Sequence, residues 1–255
     1  MYKRQTPPDP KILWVVSWGF DVPGLIRRLN GRRVVYHAHS SQYGFGLPPG
    51  IPVLAVSRNT LGYWGDRAPR NPLFLVPNAL EHVWLERGDR SARQSRPIDV
   101  LVQARKSSPY VLNHLVPALR QAGFEVEVQT GWVDDLVDLF NRSTVYLYDS
   151  AEHWRGRGVT EGFGLPPLEA LACGCVVFSS LNHALADHGV SGQSLHQLGC
   201  GRFSFDLQRV KAAALDPDAW RLSPQDLGYL LRNHSEALLN CLLYTSPSPR
   251  DLYRS

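Results

Sequence analysis

EGFGLPPLEALACGCVVFSS, residues Glu161–Ser180, sets a carboxylate ahead of a glycine-rich turn and then prolines suited to the first turn of a helix. Good helix formers follow as far as Gly174, a residue type that commonly ends helices, and CVVFSS then reads as a buried strand. The pattern predicts a helix whose positive end, worth about half a charge, lies at the amides of Gly164 and Leu165. Such an end suits a diphosphate. Gly162 and Gly164 carry no Cβ, which leaves the main chain open to close approach by a ligand. Glu161 and Glu169, eight residues apart, do not favour phosphate by charge. They suit hydroxyl groups, those of a sugar on one side and of a ribose on the other. An anion site flanked by two polyol sites points to a nucleotide sugar.

Outward from this stretch, short apolar runs alternate with helical patterns. Ile98–Gln103, Phe124–Gln129, Thr144–Tyr148 and Val176–Ser179 read as strands, with helices expected at Tyr110–Ala122, Val133–Asn141 and Pro166–Ala172. Towards the N-terminus, Ile12–Ser17, Val34–His37, Val53–Ser57 and Leu73–Val76 read as further buried strands, and Pro23–Asn30 as a brief helix. Strands alternating with helices imply an α/β fold with parallel sheets covered on both faces. The Arg-rich Glu86–Pro97 interrupts the pattern and reads as a linker or domain boundary, so two α/β units are expected, over residues 6–96 and 97–240. GFGLPP occurs twice, at Gly44–Pro49 and Gly162–Pro167. Only the second runs into helix formers, so the repeat is read as a coincidence of turn chemistry.

With 255 residues, 44% hydrophobic and 20% charged, the chain is far from the composition of disordered or fibrous proteins. No window approaches the roughly 18 apolar residues of a membrane-spanning helix. Four cysteines without paired spacing form neither a disulfide framework nor a zinc site, and MYKRQTPPDP lacks an apolar export segment. A soluble protein of a reducing compartment, the cytoplasm, is expected. The formal charge of +4 is concentrated at the termini. Met1–Gln5 (MYKRQ) and Cys241–Asp251 (CLLYTSPSPRD) resemble translations of one transposon-based sequencing adapter in its two senses. Residues 1–5 and 241–255 are therefore expected to be library scars around a fragment, Thr6–Asn240. Without them the charge falls to +1, and no nucleic-acid partner follows.

EGFGLPPLEALACG resembles the E-x7-E donor-site signature of retaining GT-B glycosyltransferases of the large group 1 family. That resemblance implies two Rossmann-like domains facing a cleft, the N-terminal one incomplete here, and transfer of a sugar from a nucleotide-sugar donor with retention of configuration. It implies that Glu161 contacts donor-sugar hydroxyls, Glu169 the ribose, and the turn Gly162, Phe163, Gly164 and Leu165 the sugar and phosphates. VLVQARKSS takes the place of the family's first C-domain strand, which puts Arg105 on the diphosphate. The family's Lys position falls on Tyr110, so Lys106 is the candidate substitute. VVYHAHSSQYG resembles the N-domain strand whose last histidine faces the sugar, which makes His39, with Glu161, the catalytic candidate. AVSRN and VPNA match further stations at which Ser57 and Asn78 shape turns and caps. The donor is expected as substrate, with no cofactor and no metal. The acceptor, whether sugar, lipid or polysaccharide, stays open, and any membrane contact is expected to be peripheral.

Three departures accompany the match. The family's Gly-rich N-domain loop is not found, and its returning C-terminal helix would fall beyond Asn240. The stretch Asp149–Thr160 is longer than the family spacing and reads as an exposed loop, although Trp154, Arg155 and Arg157 could shape a pocket. Asp216-Pro217-Asp218 mimics the metal motif of the other major glycosyltransferase fold but reads as a turn and helix start. Cys173 and Cys175 read as buried fillers. No G-x-S-x-G elbow supports a serine hydrolase, and the G-x-G after Val34–Ser40 lacks the helix and acid of a nicotinamide enzyme. The alternatives are another GT-B enzyme, such as a sugar-nucleotide epimerase, and a nucleotide-sugar-binding domain without turnover.

Overall fold

The computed structural model describes residues 12–17, 21–91, 96–188, 192–199 and 202–245. Two parallel sheets form the frame, as the alternation predicts. In the first, β1 (Leu13–Ser17), β2 (Arg33–Ala38), β3 (Val53–Ala55) and β4 (Leu73–Leu75) lie side by side in chain order. Its core gathers Tyr36, Ala38 and Val53 from the strands beneath Trp64 of a helix. The helices are α1 (Val22–Arg28), α2 (Arg58–Arg67) and α3 (His82–Arg87). Ser57, read as a cap former, caps α2 by accepting from Thr60 N at 3.2 Å.

The second sheet contains β5 (Ile98–Gln103), β6 (Val126–Gln129), β7 (Ser143–Tyr148), β8 (Val176–Ser179) and β9 (His196–Gln197), all parallel, in the order β6-β5-β7-β8-β9. A π-helical turn at Val111–Leu115 leads into α4 (Val116–Gln121). Then follow α5 (Leu136–Asn141), α6 (Ala151–Arg155), α7 (Leu165–Ala172), α8 (Phe203–Leu215), α9 (Pro224–Arg232) and α10 (Glu236–Thr245). β7 is buried at every position and β8 likewise, which is why both read as continuous apolar runs. The chain leaves β5 for β6 on one side and returns to β7 on the other. That switch point opens a crevice beyond the carboxyl ends of β5 and β7, where open α/β sheets bind ligands.

The described residues of Glu86–Pro97 are tied to their surroundings. The first of them belong to α3, and the buried Arg96 donates to the carbonyls of Ser143 and Asp89 at 2.7 Å and Cys173 at 2.9 Å. Arg90 donates to Ala172 O at 2.9 Å. These arginines satisfy carbonyls at the C-terminal end of α7, which a helix leaves without partners. The chain also returns onto its first half earlier than the resemblance suggests. Leu80 N donates to His234 O at 2.8 Å, Leu80 bridges Ser235, and α10 flanks a cavity together with Leu80 and His82. The adapter-like residues 241–245 continue α10, with Leu243 and Tyr244 exposed; residues 1–5 and 246–255 lie outside the described residues. No described helix is long and apolar enough to cross a membrane.

Candidate nucleotide-sugar site

The crevice holds a cavity of ≈340 Å³, to which His39 and Asn78 come from the first half and Lys106, Trp154, Glu161 and Glu169 from the second. Lys106 sits on the turn after β5 and Trp154 on α6 after β7, the two loops of the switch point. Glu161 is 3% exposed, and one carboxylate oxygen, Oε2, accepts three hydrogen bonds. Tyr148 OH and Trp154 Nε1 donate at 2.6 Å and Ser150 Oγ at 3.0 Å. Among the described residues the other oxygen, Oε1, has no such partner. Lys106 Nζ donates to Tyr148 OH at 3.3 Å and stands 5.0 Å from the Trp154 ring.

Glu169 lies in α7, eight residues on, and partly buried. Burial lifts its carboxyl to about 7, against the pull of Lys106 and with a small push from Glu81. Gly164 caps α7 in the left-handed conformation at φ +85°, and Leu165 opens the helix. Pro166 and Pro167 have no N–H to offer, so the first turn presents fewer amides than an ordinary helix start.

The two glycines of the turn serve the protein itself. A Cβ on Gly162 would collide with the His39 carbonyl, and one on Gly164 with the Leu185 side chain. The close approach they allow is therefore that of the protein's own atoms. At Gly162 these belong to the first half, and the adjacent Thr160 is bonded to it. Ser40 Oγ donates to Thr160 O at 2.8 Å, Ser41 Oγ lies 2.6 Å from Thr160 Oγ1, and Asn59 Nδ2 donates to that hydroxyl at 3.2 Å. Beneath the turn the buried His188 donates Nε2–H to Phe163 O; desolvation holds its pKa down to about 3, and it is neutral.

His39 lines the cavity, and His37 lies beside it with ring centroids 4.2 Å apart and the planes tilted by 51°. Burial lowers both pKa values, that of His37 to about 4 with His39 contributing, so both imidazoles are neutral at pH 7. Arg105 is exposed and lies outside the cavity lining, which takes its neighbour Lys106 instead. The stretch Asp149–Thr160 is partly structured as α6. It sends Trp154 inward, while Arg155 pairs with Glu152 and Arg157 contacts His153 at the surface. Asn78, read from the sequence as a turn former, lines the cavity. Asp218 pairs with Arg221 at 2.7 Å, and no cluster of metal-ligating side chains occurs among the described residues. Cys173 and Cys175 are buried, and burial raises both thiol pKa values. Tyr148, Ser150 and Thr160 escaped the sequence reading. Tyr148 and Ser150 flank the carboxyl end of β7, the edge a doubly wound sheet turns towards its ligand, and that placement is the signal that could have found them.

Neither a known protein family's profile nor a curated protein matches this chain. Solved structures do. Anabaena HepE in complex with UDP-glucose matches with a TM-score of 0.63 at 14% identity, over 89% of this chain and 75% of that one. The sucrose-phosphate synthase of Thermosynechococcus elongatus gives 0.65 at 14% identity, over 91% and 72%. A glycosyltransferase from Rickettsia africae gives 0.62 at 13% identity, over 92% and 74%. The likeness shows the fold: two parallel sheets of the GT-B glycosyltransferase type.

Proposed function

We propose that the chain binds a nucleotide-sugar donor in this cavity and transfers the glycosyl group to an acceptor with retention of configuration. The observation that carries the reading is the convergence of Glu161, Glu169, Lys106 and the start of α7 on one cavity at the switch point of the second sheet. HepE, of like fold, has been crystallised with UDP-glucose and with UDP. In this reading the free Oε1 of Glu161 accepts a donor-sugar hydroxyl, and Glu169 accepts from the ribose. Lys106 and the Leu165 amide stabilise charge that develops on the departing diphosphate, the interaction strongest in the transition state. A neutral His39 faces the sugar from the first half as a hydrogen-bonding group.

Calorimetric titration with UDP, GDP and ADP sugars, followed by product analysis of any transfer, tests this. One nucleotide sugar should bind in the micromolar to millimolar range. Glu161→Ala should keep the affinity for the free nucleoside diphosphate and lose that for the intact nucleotide sugar. Absence of binding by all three donor classes would overturn the reading, and loss of both affinities together in Glu161→Ala would overturn the assignment of the two carboxylates.

A further inference from the structure

We propose that Trp154 is a positioning residue that fixes how Glu161 and Lys106 face the cavity, and so sets selectivity for the intact nucleotide sugar over the bare nucleotide. The inference deepens the donor-site reading and rests on it. One indole meets both polar groups. Its Nε1–H donates to Glu161 Oε2 at 2.6 Å, and the Lys106 ammonium stands 5.0 Å from its ring. Tyr148 closes the circuit, donating to the same Oε2 and accepting from Lys106 Nζ. With Ser150 as the third donor, Oε2 is fully occupied, and the carboxylate can rotate only by breaking bonds to an ionised group. Oε1 is thereby left as the one acceptor that Glu161 can offer the cavity it lines, which suits a particular sugar hydroxyl.

Trp154 belongs to α6, the short helix within Asp149–Thr160 that leads from β7 towards Glu161. No atom of Trp154 is asked to take part in bond making. Its action passes through Glu161 by the N–H edge and through Lys106 by the ring face. The two functions separate by substitution. Trp154→Phe keeps a ring beside Lys106 and removes the N–H. Trp154→Leu removes both.

The experiment has two arms. In the first, the indole N–H resonance of Trp154 is assigned by its loss in Trp154→Phe and followed in Glu161→Gln without nucleotide. It should move upfield by several tenths of a part per million when the charged acceptor is lost; an unmoved resonance refutes the pairing. In the second, UDP-glucose and UDP are titrated into each variant, or the donor and diphosphate of another base if the wild type prefers them. Trp154→Phe should weaken nucleotide-sugar binding about tenfold, the scale of one hydrogen bond to a charged group, while diphosphate affinity stays within twofold. Trp154→Leu should weaken both. In a Glu161→Gln background the Trp154→Phe effect should largely vanish. Equal loss of both ligands in Trp154→Phe, or an undiminished effect in that background, overturns the proposal. A wild type that binds no nucleotide sugar overturns the donor-site reading and with it the selectivity role, and the first arm still decides whether Trp154 holds Glu161.

Discussion

Adding one methyl group at Gly162 should separate the two halves of the molecule. A Cβ there would fall 1.6 Å from the His39 carbonyl oxygen, and 2.8 Å from its carbon. A Cβ is fixed by the main chain and meets main-chain atoms, so no rotamer relieves it, and the surfaces must part by about 2 Å to reach an ordinary contact. The three Thr160 hydrogen bonds, to Ser40, Ser41 and Asn59, lie next to the collision and cannot span that gap. At about 0.5–1.5 kcal/mol each they account for roughly 1.5–4.5 kcal/mol, and the overpacking adds about 1–3 kcal/mol. Gly162→Ala should therefore cost roughly 2.5–7.5 kcal/mol, a fall in Tm on the order of 10 °C for a chain of this size. Thermal unfolding followed by circular dichroism measures it. Gly46→Ala is the control, because nothing lies within 4 Å of a Cβ at that position. A Gly162→Ala variant that melts with the wild type would refute the view that the glycine exists for the contact between halves.

Glu169→Gln should stabilise the fold relative to wild type more at pH 8 than at pH 5. Burial raises the carboxyl to about 7, so its neutral form is the one the fold prefers, and stability is lost as pH rises from the ordinary carboxylate range through 7. Urea midpoints at the two pH values decide it, and an equal difference at both refutes the assignment. The same variant should bind nucleoside diphosphate more weakly, with less gain between pH 6 and 8 than the wild type shows. Arg96→Met should cost about 3–5 kcal/mol in urea unfolding, because it strands the buried carbonyls of Ser143, Asp89 and Cys173. A loss under 1 kcal/mol would mean that those carbonyls find other donors.

The strands of the second sheet were the most legible elements. Ile98–Gln103 and Val176–Ser179 have in the structure the bounds read from the sequence, since strands buried on both faces leave an uninterrupted apolar run. The start of α7 was legible through its Gly and Pro positions. GFGLPP shows the limit of such reading. At Gly44–Pro49 the first glycine is left-handed, φ +78°, and no helix follows; in the second copy it is the second glycine, Gly164, and a helix does. Six identical residues take two conformations because the residues after them differ in helix propensity and their neighbours differ in packing. α2 was missed because Gly62 and Gly65 lower its propensity, while the buried Trp64 and the Ser57 cap hold it in place. Polarity likewise made Arg90 and Arg96 look like a linker. Their role as caps on distant carbonyls exists only once α7 and β5 lie together. The Trp154–Glu161 pair was only half legible: AEHWRGRG reads as an exposed loop in which Trp154 could shape a pocket, and nothing in it singles out Trp154 from Arg155 and Arg157 or names Glu161 as its partner.

Thr160, Glu161 and Gly162 are consecutive, and each answers to a different neighbour. Thr160 is tied to the first half, Glu161 to the wall of the second, and Gly162 lies against the His39 carbonyl. Successive Cα atoms are only about 3.8 Å apart, so a rotation of one half against the other acts on the Glu161 carboxylate through a lever one residue long. Tyr148, Ser150 and Trp154, all of the second half, oppose that pull, so the strain gathers in the link between Thr160 and Glu161.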